Sequence, residues 1–417
     1  MTNIRINRLE RKILVSAYGC EPLKGSEPGI GWNWILQMAK YNYLHVITRA
    51  NNKQVIEAHL PDDLKHRITF HYYDTPNCIK RLKNKAKGLY FYYFCWQIGI
   101  VPLVRRILKE ERMDYTMHLT FGSMWMPTFL PLFSTSFIWG PVGGGDCEPK
   151  PFLKVLPLKQ RIMQSFRYVM NAFSFLHPGI MLPAVKAKTI LARTPNSAHV
   201  IPSCFQHKVK TILETAMEAD VFNYKRVERP NDNVIKLITT GRLLPNKNIL
   251  SAVRALAYIP KEYHISLTIV GSGYQKKEIE DTAIKMGRDN NIRIIDEMPR
   301  QNVLHLVEQS DIFLFPSLRE GGSWSLMEAM AIGLPVICLN WAGMSVTTDD
   351  DCAIRLPVSN PEQMPKDMAA AIIKLIENPK LRKQMGEAGR KRIKEVFNWE
   401  EKGRFMENLF KDLDAKK

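Results

Sequence analysis

The chain has 417 residues, of which 45% are hydrophobic and 24% are charged. These values are ordinary for globular domains, and they exclude a largely disordered chain, a collagen-like repeat and a small disulfide-stapled module. At roughly 100–200 residues per domain, the length predicts two or three domains.

The positive charge is concentrated in the first half of the chain. Residues 1–220 contain 29 Lys and Arg against 15 Asp and Glu, a net charge of +14 out of a total of +18. We therefore expect the first half to meet an anionic partner, and nucleic acid, an anionic membrane surface and a phosphorylated substrate all qualify.

The cysteines and the N-terminus favour a reducing, cytoplasmic location. Seven cysteines occur without a CxxC pair or a metal-ligand spacing, so neither a disulfide framework nor a structural zinc site is expected. The N-terminal segment has no apolar stretch typical of a signal peptide. The most apolar window, 89–104, is shorter than the roughly 20 residues of a spanning helix, so we predict a buried or interfacial segment.

Short apolar runs alternate with helical patterns through the first half. A loop with glycines and a proline follows the first run, and a helix is predicted at about 31–40. The predicted strands of this half are 13–18, 43–49, 68–73, 115–120, 137–140 and 189–193.

The alternation restarts after a polar segment, 223–233, that is typical of a linker. Strand–helix alternation indicates parallel sheets with helices on both faces. We therefore predict an α/β fold of two doubly wound, Rossmann-like domains facing each other across a cleft, with ligands at the carboxyl ends of the strands. The predicted strands of this half are 234–240, 264–270, 292–295, 312–315 and 335–339, and the predicted helices are 249–258, 276–286 and 325–331, followed by a helical tail over 361–417.

A Gly-rich helix start follows the predicted strand 312–315. Glu320 precedes Gly321, Gly322 and Ser323, and Glu328 comes eight positions after Glu320. Free backbone N–H groups and the positive end of a helix dipole suit a phosphate, and a nearby carboxylate suits sugar hydroxyls. The alternative is an ordinary helix start with two surface glutamates.

Two further loops of the second half follow strands. Arg242 and Lys247 lie in a turn after the strand 234–240, where two cations suit a diphosphate, although a solvated basic turn is the alternative. Gly271 and Gly273 follow the next strand, but the pair is too short for a dinucleotide fingerprint and could be a tight turn.

The first half offers three candidate features at strand ends. Glu27, Gly29 and Gly31 follow the first strand, and the glycines of 143–145 follow the strand 137–140; either group could approach a ligand or form a turn. His118 lies at the end of its strand, where it could bind a substrate or act as a base, although a structural role is the alternative.

Taken together, the second-half motifs resemble the family 4 retaining glycosyltransferases, which have the GT-B fold. The spacing of Glu320 and Glu328 is the hallmark of that family. The first half resembles a branch of the family through CEP-x-x-GSEPG-x-GW, TRANN and FIWGPVGGG, so the resemblance covers nearly the whole chain. The resembling second-half segments are GRLLPNKNILSAVRAL, IVGSGYQKKEIE, DIFLFPSLREGGSWSLMEAMAIGLPVI and FNWEE.

The resemblance implies a role for each matching residue. Arg242 and Lys247 would bind the diphosphate of the donor, Glu328 the ribose hydroxyls, and Glu320 with the amides after it the transferred sugar. His118 would lie near the anomeric carbon. The implied catalytic residues are His118 and Glu320; the implied donor-binding residues are Arg242, Lys247, Gly271, Met298, Gly321, Gly322, Ser323, Trp324, Ser325 and Glu328; the implied cleft loops of the first domain carry Glu27, Gly29, Gly31, Gly143 and Gly144.

Three positions depart from the family pattern and leave the donor open. The usual E-G-F-G reads E-G-G-S-W, so Gly322 replaces an aromatic residue. Asn248 stands where Gly usually follows the lysine, and 342–346 read AGMSV where the family has GGxPE.

The resemblance implies a retaining glycosyltransferase that uses a nucleotide diphosphate sugar, with no cofactor and no metal ion, because side-chain cations and a helix end can stabilise the leaving phosphate. The expected domains are 1–215 for the acceptor and 216–398 for the donor, with a final helix at 399–417 packing back on the first. The alternatives are a binder of nucleic acid or another anionic polymer on a vestigial fold, and a GT-B phosphorylase.

The acceptor is expected to be a glycan, lipid-linked or at the membrane surface, as in the synthesis of cell-surface polysaccharide or lipopolysaccharide. A basic run, 80–87, leads directly into an aromatic run, 88–94. This composition is typical of an interfacial helix. We therefore expect a peripheral protein on the cytoplasmic face of an anionic membrane, with no nucleic acid partner; a solvated basic face beside a core helix is the alternative.

Overall fold

The computed structural model describes residues 10–82, 88–133, 136–227 and 234–416. The chain forms two compact units. The first consists of Met1–Gly145, Asn171–Glu214 and Trp399–Lys417, and the second of Asp146–Met170 and Thr215–Asn398.

Within the described residues, each unit contains one sheet in which every strand pairing is parallel. Numbered along the chain, the strands are β1 (Lys12–Ala17), β2 (Tyr43–Arg49), β3 (Ile68–Tyr73), β4 (Tyr115–Thr120), β5 (Phe137–Val142), β6 (Ala187–Ala192), β7 (Val209–Thr211), β8 (Ile235–Thr240), β9 (Ile265–Val270), β10 (Ile292–Ile295), β11 (Ile312–Phe315), β12 (Val336–Leu339) and β13 (Ala353–Leu356). Among these strands, seven form the first sheet in the order β3-β2-β1-β4-β5-β6-β7, and six form the second in the order β10-β9-β8-β11-β12-β13.

Four inner strands, β4, β5, β11 and β12, are buried along their whole length, as expected of parallel sheets covered on both faces. The helices are α1 (Ser26–Ala39), α2 (Lys53–His59), α3 (Asn77–Leu82), α4 (Leu89–Gly99), α5 (Val101–Glu110), α6 (Leu158–Ala172), α7 (Pro178–Lys186), α8 (Pro195–Val200), α9 (Ile249–Ala255), α10 (Lys276–Lys285), α11 (Arg300–Glu308), α12 (Trp324–Ile332), α13 (Met344–Thr347), α14 (Met364–Glu377), α15 (Pro379–Val396) and α16 (Trp399–Asp414).

The C-terminal helix α16 belongs to the first unit and packs on α1. Arg11, just before β1, binds Glu407 at 2.8 Å and Asp414 at 2.6 Å, and the Tyr115 hydroxyl donates to Asp414 at 2.6 Å. Because Arg11 is almost fully buried, these carboxylates compensate a charge that burial would otherwise make costly.

The residues Asp146–Met170, which the sequence assigns to the first domain, cluster with the second unit. Contacts within that unit explain the assignment. The Trp341 indole donates to the carbonyl of Cys147 at 3.0 Å, and Lys154 pairs with Glu362 at 3.1 Å.

Predicted and observed strands agree closely, and the helix α1 differs most. It begins at Ser26 rather than at about residue 31, so Glu27, Gly29 and Gly31 lie in its first turns and not in a loop. The short edge strands β7 and β13 have no counterpart among the predicted strands. Residues 228–233 of the predicted linker and 83–87 of the basic run lie outside the described residues.

The apolar window 89–104 forms the helix α4 and the start of α5. One side of α4 is buried in the core of the first unit through Tyr92, Tyr93 and Trp96. In residues 10–82, 88–133, 136–227 and 234–416, we find no helix with the length and apolarity needed to cross a bilayer.

Candidate functional site

The loop after β8 carries the first two predicted donor-side cations. Arg242 is exposed, while Lys247 is half-buried in a 3-10 turn just before α9. Asn248 follows with φ +54°, a left-handed conformation that Asn tolerates better than most non-glycine residues. Its side-chain oxygen accepts from the Ser251 hydroxyl at 2.9 Å, which accounts for Asn where the family has Gly.

Lys247 and Glu320 are brought together although 73 positions separate them. The Lys247 ammonium forms an ion pair with Glu320 Oε1, and the Ser317 hydroxyl donates to the same oxygen at 2.7 Å. Both charged side chains remain partly accessible, at 18% and 16%. Because both side chains keep some contact with water, the Lys247 ammonium can exchange the Glu320 carboxylate for an incoming phosphate. The exchange leaves no fully buried charge without a partner.

The glycine loop before α12 is clamped between two other segments of the second unit. A Cβ added at Gly322 would overlap with the Thr215 hydroxyl, and one at Gly343 would overlap with the carbonyl of Gly321. The Gly343 amide donates to the carbonyl of Glu320 at 2.9 Å. This packing accounts for Gly322 where the family carries an aromatic residue, because no side chain fits there.

The helix α12 begins directly after this loop, with Ser323 as its N-cap. The first amides of a helix have no partner within it, so those of Trp324 and Ser325 add positive potential beside Glu320. The Ser323 and Ser325 hydroxyls lie 3.3 Å apart. The loop and the helix start therefore combine anion-binding and hydroxyl-binding groups.

Glu328, on the second turn of α12, is held by an arginine that the sequence analysis did not identify. Arg300 donates from Nε to Glu328 Oε1 at 2.6 Å and from Nη1 to Asp220 at 2.7 Å. Burial raises the pKa of Glu328, and the Arg300 guanidinium opposes that rise. The only sequence signal for Arg300 was its place two residues after Met298, which is half-buried in the loop after β10.

Gly271 supports the Arg242 loop through backbone packing. A Cβ on Gly271 would overlap with the carbonyl of Gly241, and its φ of +148° is unfavourable for other residues. Backbone bonds from Gly241 to Val270 (2.9 Å) and from Leu243 to Ser272 (2.8 Å) join the two loops. Gly271 thus holds the loop that presents Arg242.

A second ion pair adjoins Glu320. Arg319 lies 3.6 Å from Glu148, whose side chain is 4% exposed. Burial raises the pKa of Glu148, and Arg319 opposes it. The Glu148 Oε2 and Arg319 Nη1 atoms are buried without a hydrogen-bond partner in the part of the chain that the structure describes. Neither residue was predicted from the sequence, since nothing local links position 148 to position 319.

In the first unit, His118 is buried at the end of β4, at 1% exposure. Burial, helped to a smaller extent by Arg193, lowers its pKa to about 4 although the hydrogen bond with Phe121 opposes this shift, so the ring is neutral at pH 7. Nε2 lies 3.4 Å from the carbonyl of Phe121, which can only accept, so the proton is assigned to Nε2. Nδ1 is then an acceptor, and among the described residues it has no partner.

Glu27 and the glycines after β5 meet around the loop that follows His118. Glu27 Oε1 accepts from the Gly122 amide at 2.7 Å, and the Gly143 amide donates to the Gly122 carbonyl at 2.7 Å. The Gly144 carbonyl accepts from the Trp125 indole at 2.9 Å. The structure thus brings Glu27, Gly143 and Gly144 together with the His118 loop.

Arg193, which the sequence analysis did not identify, lies among these groups at the end of β6. It pairs with Glu27 at 3.4 Å and with Glu214 at 3.5 Å, and its Nε donates to the Pro141 carbonyl at 3.3 Å. A Cβ on Gly143 would come within 2.8 Å of Arg193 Cδ, so a larger residue there would displace the Arg193 side chain.

Gly29 and Gly31 do not face open space. A Cβ on Gly29 would overlap with the carbonyl of Lys24, and one on Gly31 with the carbonyl of Gly19. The two glycines therefore allow close packing of α1 against the segment before it, and the approach of a ligand to them stays a prediction.

Comparisons with known proteins support the family resemblance in the second unit. Residues 220–392 match the sequence model of the family described as glycosyl transferases group 1. Over 193 residues the chain is 31% identical to an uncharacterized glycosyltransferase of Methanocaldococcus jannaschii, covering 45% of this chain and 48% of that protein. Over 186 residues it is 25% identical to a GDP-mannose-dependent monoacylated alpha-(1-6)-phosphatidylinositol monomannoside mannosyltransferase of Corynebacterium glutamicum, covering 43% and 47%. The chain thus spans about half the length of these relatives.

Solved structures confirm the predicted GT-B fold. Sucrose-phosphate synthase from Thermosynechococcus elongatus matches 98% of this chain and 100% of its own, with a TM-score of 0.63 and 16% identity. The lipopolysaccharide outer core galactosyltransferase WaaB matches 96% and 99%, with a TM-score of 0.61 and 14% identity. The Anabaena protein HepE in complex with UDP matches 96% and 100%, with a TM-score of 0.57 and 12% identity.

Proposed function

We propose that this chain, whose residues 220–392 belong to the group 1 glycosyl transferases, is a retaining glycosyltransferase that moves a sugar from a nucleoside diphosphate sugar to a glycan or lipid-linked acceptor. The observation that carries the proposal is the cluster of Lys247, Ser317 and Glu320 at the start of α12, beside the glycine loop. It combines a cation, a carboxylate and free helix amides, which are the groups that a diphosphate and a sugar require.

The diphosphate is assigned to Arg242, Lys247 and the first amides of α12. Arg242 is exposed and forms no ion pair with any other described residue, so its guanidinium is available for bidentate binding. Lys247 exchanges Glu320 for a phosphate oxygen, which frees Glu320 to accept from sugar hydroxyls. The HepE structure with bound UDP supports a nucleotide ligand for this fold.

Glu328 is assigned to the ribose hydroxyls of the donor. Burial raises the pKa of its carboxyl, and the hydrogen bond and charge of Arg300 oppose that rise and so favour the charged form. A charged acceptor forms hydrogen bonds about twice as strong as a neutral one. Arg300 is therefore a positioning residue that acts through Glu328.

In the proposed reaction, the bond between the anomeric carbon and the diphosphate oxygen breaks, and the acceptor oxygen bonds to the same face of that carbon. The acceptor proton passes to an oxygen of the leaving phosphate. Arg242, Lys247 and the helix end stabilise the negative charge that develops on the phosphate. Because its ring is neutral at pH 7, His118 would offer a ligand of the first unit a hydrogen bond rather than a charge.

The acceptor is proposed to lie at a membrane surface. In the first unit, α4 exposes Tyr90, Phe91, Phe94 and Ile98 while its other side is buried. Two relatives support such an acceptor: the mannosyltransferase of Corynebacterium glutamicum is named for a phosphatidylinositol mannoside, and WaaB for lipopolysaccharide. We place the protein on the cytoplasmic face of the membrane, where nucleotide sugars are available.

The test is a panel of UDP-, GDP- and ADP-sugars, with donor binding by calorimetry and donor hydrolysis by release of the nucleotide. We expect one nucleotide class to bind and to be hydrolysed slowly. A matched pair of variants, Lys247→Ala and the exposed Lys277→Ala on α10, locates the site, since only the first should lose binding. Equal loss in both variants, or binding of no nucleotide sugar, would refute the proposal.

The positively charged groups at the proposed diphosphate site also predict how activity depends on metal ions. Because Arg242, Lys247 and the end of α12 provide positive charge at the diphosphate, we expect EDTA to change the hydrolysis rate by less than about twofold. Loss of turnover with EDTA that magnesium or manganese restores would contradict this assignment.

A further inference from the structure

The helix α6 exposes its apolar face and turns its polar face inward. Leu158, Ile162, Phe166 and Val169 are four, four and three positions apart, a spacing that aligns them on one face of a helix. Each is 54% to 64% exposed. A helix on the surface of a globular protein normally buries such a stripe.

Two polar residues of α6 form hydrogen bonds with other parts of the second unit, and a third is buried. Gln164 is buried at 4% exposure, and Gln160 donates to the Tyr274 hydroxyl at 2.8 Å. The Tyr168 hydroxyl donates to the carbonyl of Glu148 at 2.7 Å. These bonds lie on the polar side of the helix, and the apolar stripe on the other side is exposed.

The charge of α6 indicates which kind of partner covers the apolar stripe. The helix contains Lys159, Arg161 and Arg167 and no acidic residue, and residues 151–200 contain seven cations and no Asp or Glu. A second copy of this chain would bring like charges together across a symmetric contact. A surface that combines anionic head groups with an apolar layer satisfies both the cations and the stripe.

We propose that α6 lies in the interface of an anionic phospholipid bilayer, with the stripe of Leu158, Ile162, Phe166 and Val169 inserted among the acyl chains. Lys159 and Arg161 contact the head groups. This inference rests on the proposed function, which places the acceptor at a membrane. It adds a membrane-binding helix in the second unit to the helix α4 of the first unit.

The test measures binding to vesicles made of phosphatidylcholine and 30% phosphatidylglycerol, and it compares the natural full-length chain with two variants. The stripe variant is Ile162→Asp with Phe166→Asp. The matched control is Ile284→Asp, an equally exposed apolar residue on α10 of the same unit, at 64% exposure. We expect the stripe variant to lose at least tenfold in vesicle partitioning, while the control binds like the natural chain.

Folding, donor hydrolysis and self-association are measured beside vesicle binding. Thermal melts and hydrolysis of a nucleotide sugar without vesicles should be unchanged in the stripe variant, so a failure of the proposed function shows in hydrolysis alone. Unchanged partitioning of the stripe variant would overturn the proposal. So would a dimer of the natural chain, seen by sedimentation without vesicles, that the stripe variant converts to monomers, because α6 would then be a contact between copies.

Discussion

At the level of single residues, the paired charges of the second unit are the most informative feature. Lys247 meets Glu320, Arg300 meets Glu328 and Arg319 meets Glu148. In each pair one partner comes from the segment 319–328, so this short stretch collects charged partners from distant parts of the chain. Arg242 has no such partner among the described residues, which leaves it available for a ligand.

We expect Arg242→Ala and Glu320→Ala each to reduce transfer at least ~100-fold, near the cost of losing one preorganised charge-stabilising group. Both side chains lie at accessible loops rather than in the core, so folding should persist. Turnover is measured beside a thermal melt, with the exposed Arg293→Ala on β10 as the control. A folded variant with nearly natural turnover would remove the assigned role.

The buried, neutral His118 predicts a pH-dependent stability. Its pKa in the folded chain is about 4, below the ordinary value of 6.5, so between these values the unfolded chain binds a proton that the folded chain does not. Stability therefore rises with pH across this window and is lost as pH falls from 6.5 toward 4. At pH 5 the loss from this group is about 2 kcal/mol.

The measurement is the unfolding midpoint of the natural chain and of His118→Gln from pH 7.5 to pH 5. We expect the natural chain to lose more stability over this range than the variant, whatever their difference at pH 7.5. Parallel curves would show that His118 does not titrate as its burial requires.

At the level of elements, the loop before α12 is positioned by close packing rather than by its own sequence. The Gly322 backbone lies against the Thr215 side chain, and Gly343 lies against Gly321. The amides of this loop and of the helix start are therefore held where an anion can meet them before any ligand binds. Such preorganisation avoids the cost of ordering the loop on binding.

We expect Gly322→Ala to lower the melting temperature and to weaken donor binding, because the added methyl group displaces Thr215 or the loop. The change Thr215→Gly should partly restore both properties in the double variant. The coupling between the two positions should be about 0.5–3 kcal/mol, the range for residues in contact. Gly25→Ala is the control, since a Cβ there meets no atom of the described residues within 4 Å. Additive effects of the two changes would contradict the close packing of Gly322 against Thr215.

At the level of the whole molecule, the unequal charge of the two halves is the main feature. The net charge of +14 in residues 1–220 is combined with exposed aromatic side chains on α4 in the first unit. Electrostatic attraction and insertion of apolar groups contribute separately to membrane binding, and only the first is screened by salt.

Changing Lys80, Arg81, Lys83, Lys85 and Lys87 to Glu should remove most of the salt-sensitive binding to anionic vesicles, at about 1 kcal/mol for each basic residue. Donor hydrolysis should not change, because the proposed donor groups lie in the second unit. Co-sedimentation at low and high salt is the measurement. A charge-reversed protein that still pellets fully at low salt would mean that this basic run does not drive the binding.

Local patterns in the amino-acid sequence were enough to predict most strands and the loops that follow them. The runs of apolar and β-branched residues placed strands such as β2, β3 and β10 to the residue, because β-branched and aromatic side chains fit a pleated, half-buried surface. The loops with Arg242, Lys247 and Glu320 followed from their position at strand ends, and the family resemblance followed from their joint spacing.

The tertiary structure was needed to find the features that depend on contacts between distant segments. Arg300, Arg193 and the Glu148–Arg319 pair acquire their roles from partners 21 to 171 positions away, and no periodicity encodes such a partner. The start of α1 at Ser26 depended on backbone packing that fits two glycines into a helix. Tertiary contacts also determine that the apolar face of α6 points outward. A stripe of apolar residues predicts an amphipathic helix, but it does not predict where the polar side of that helix finds hydrogen-bond partners.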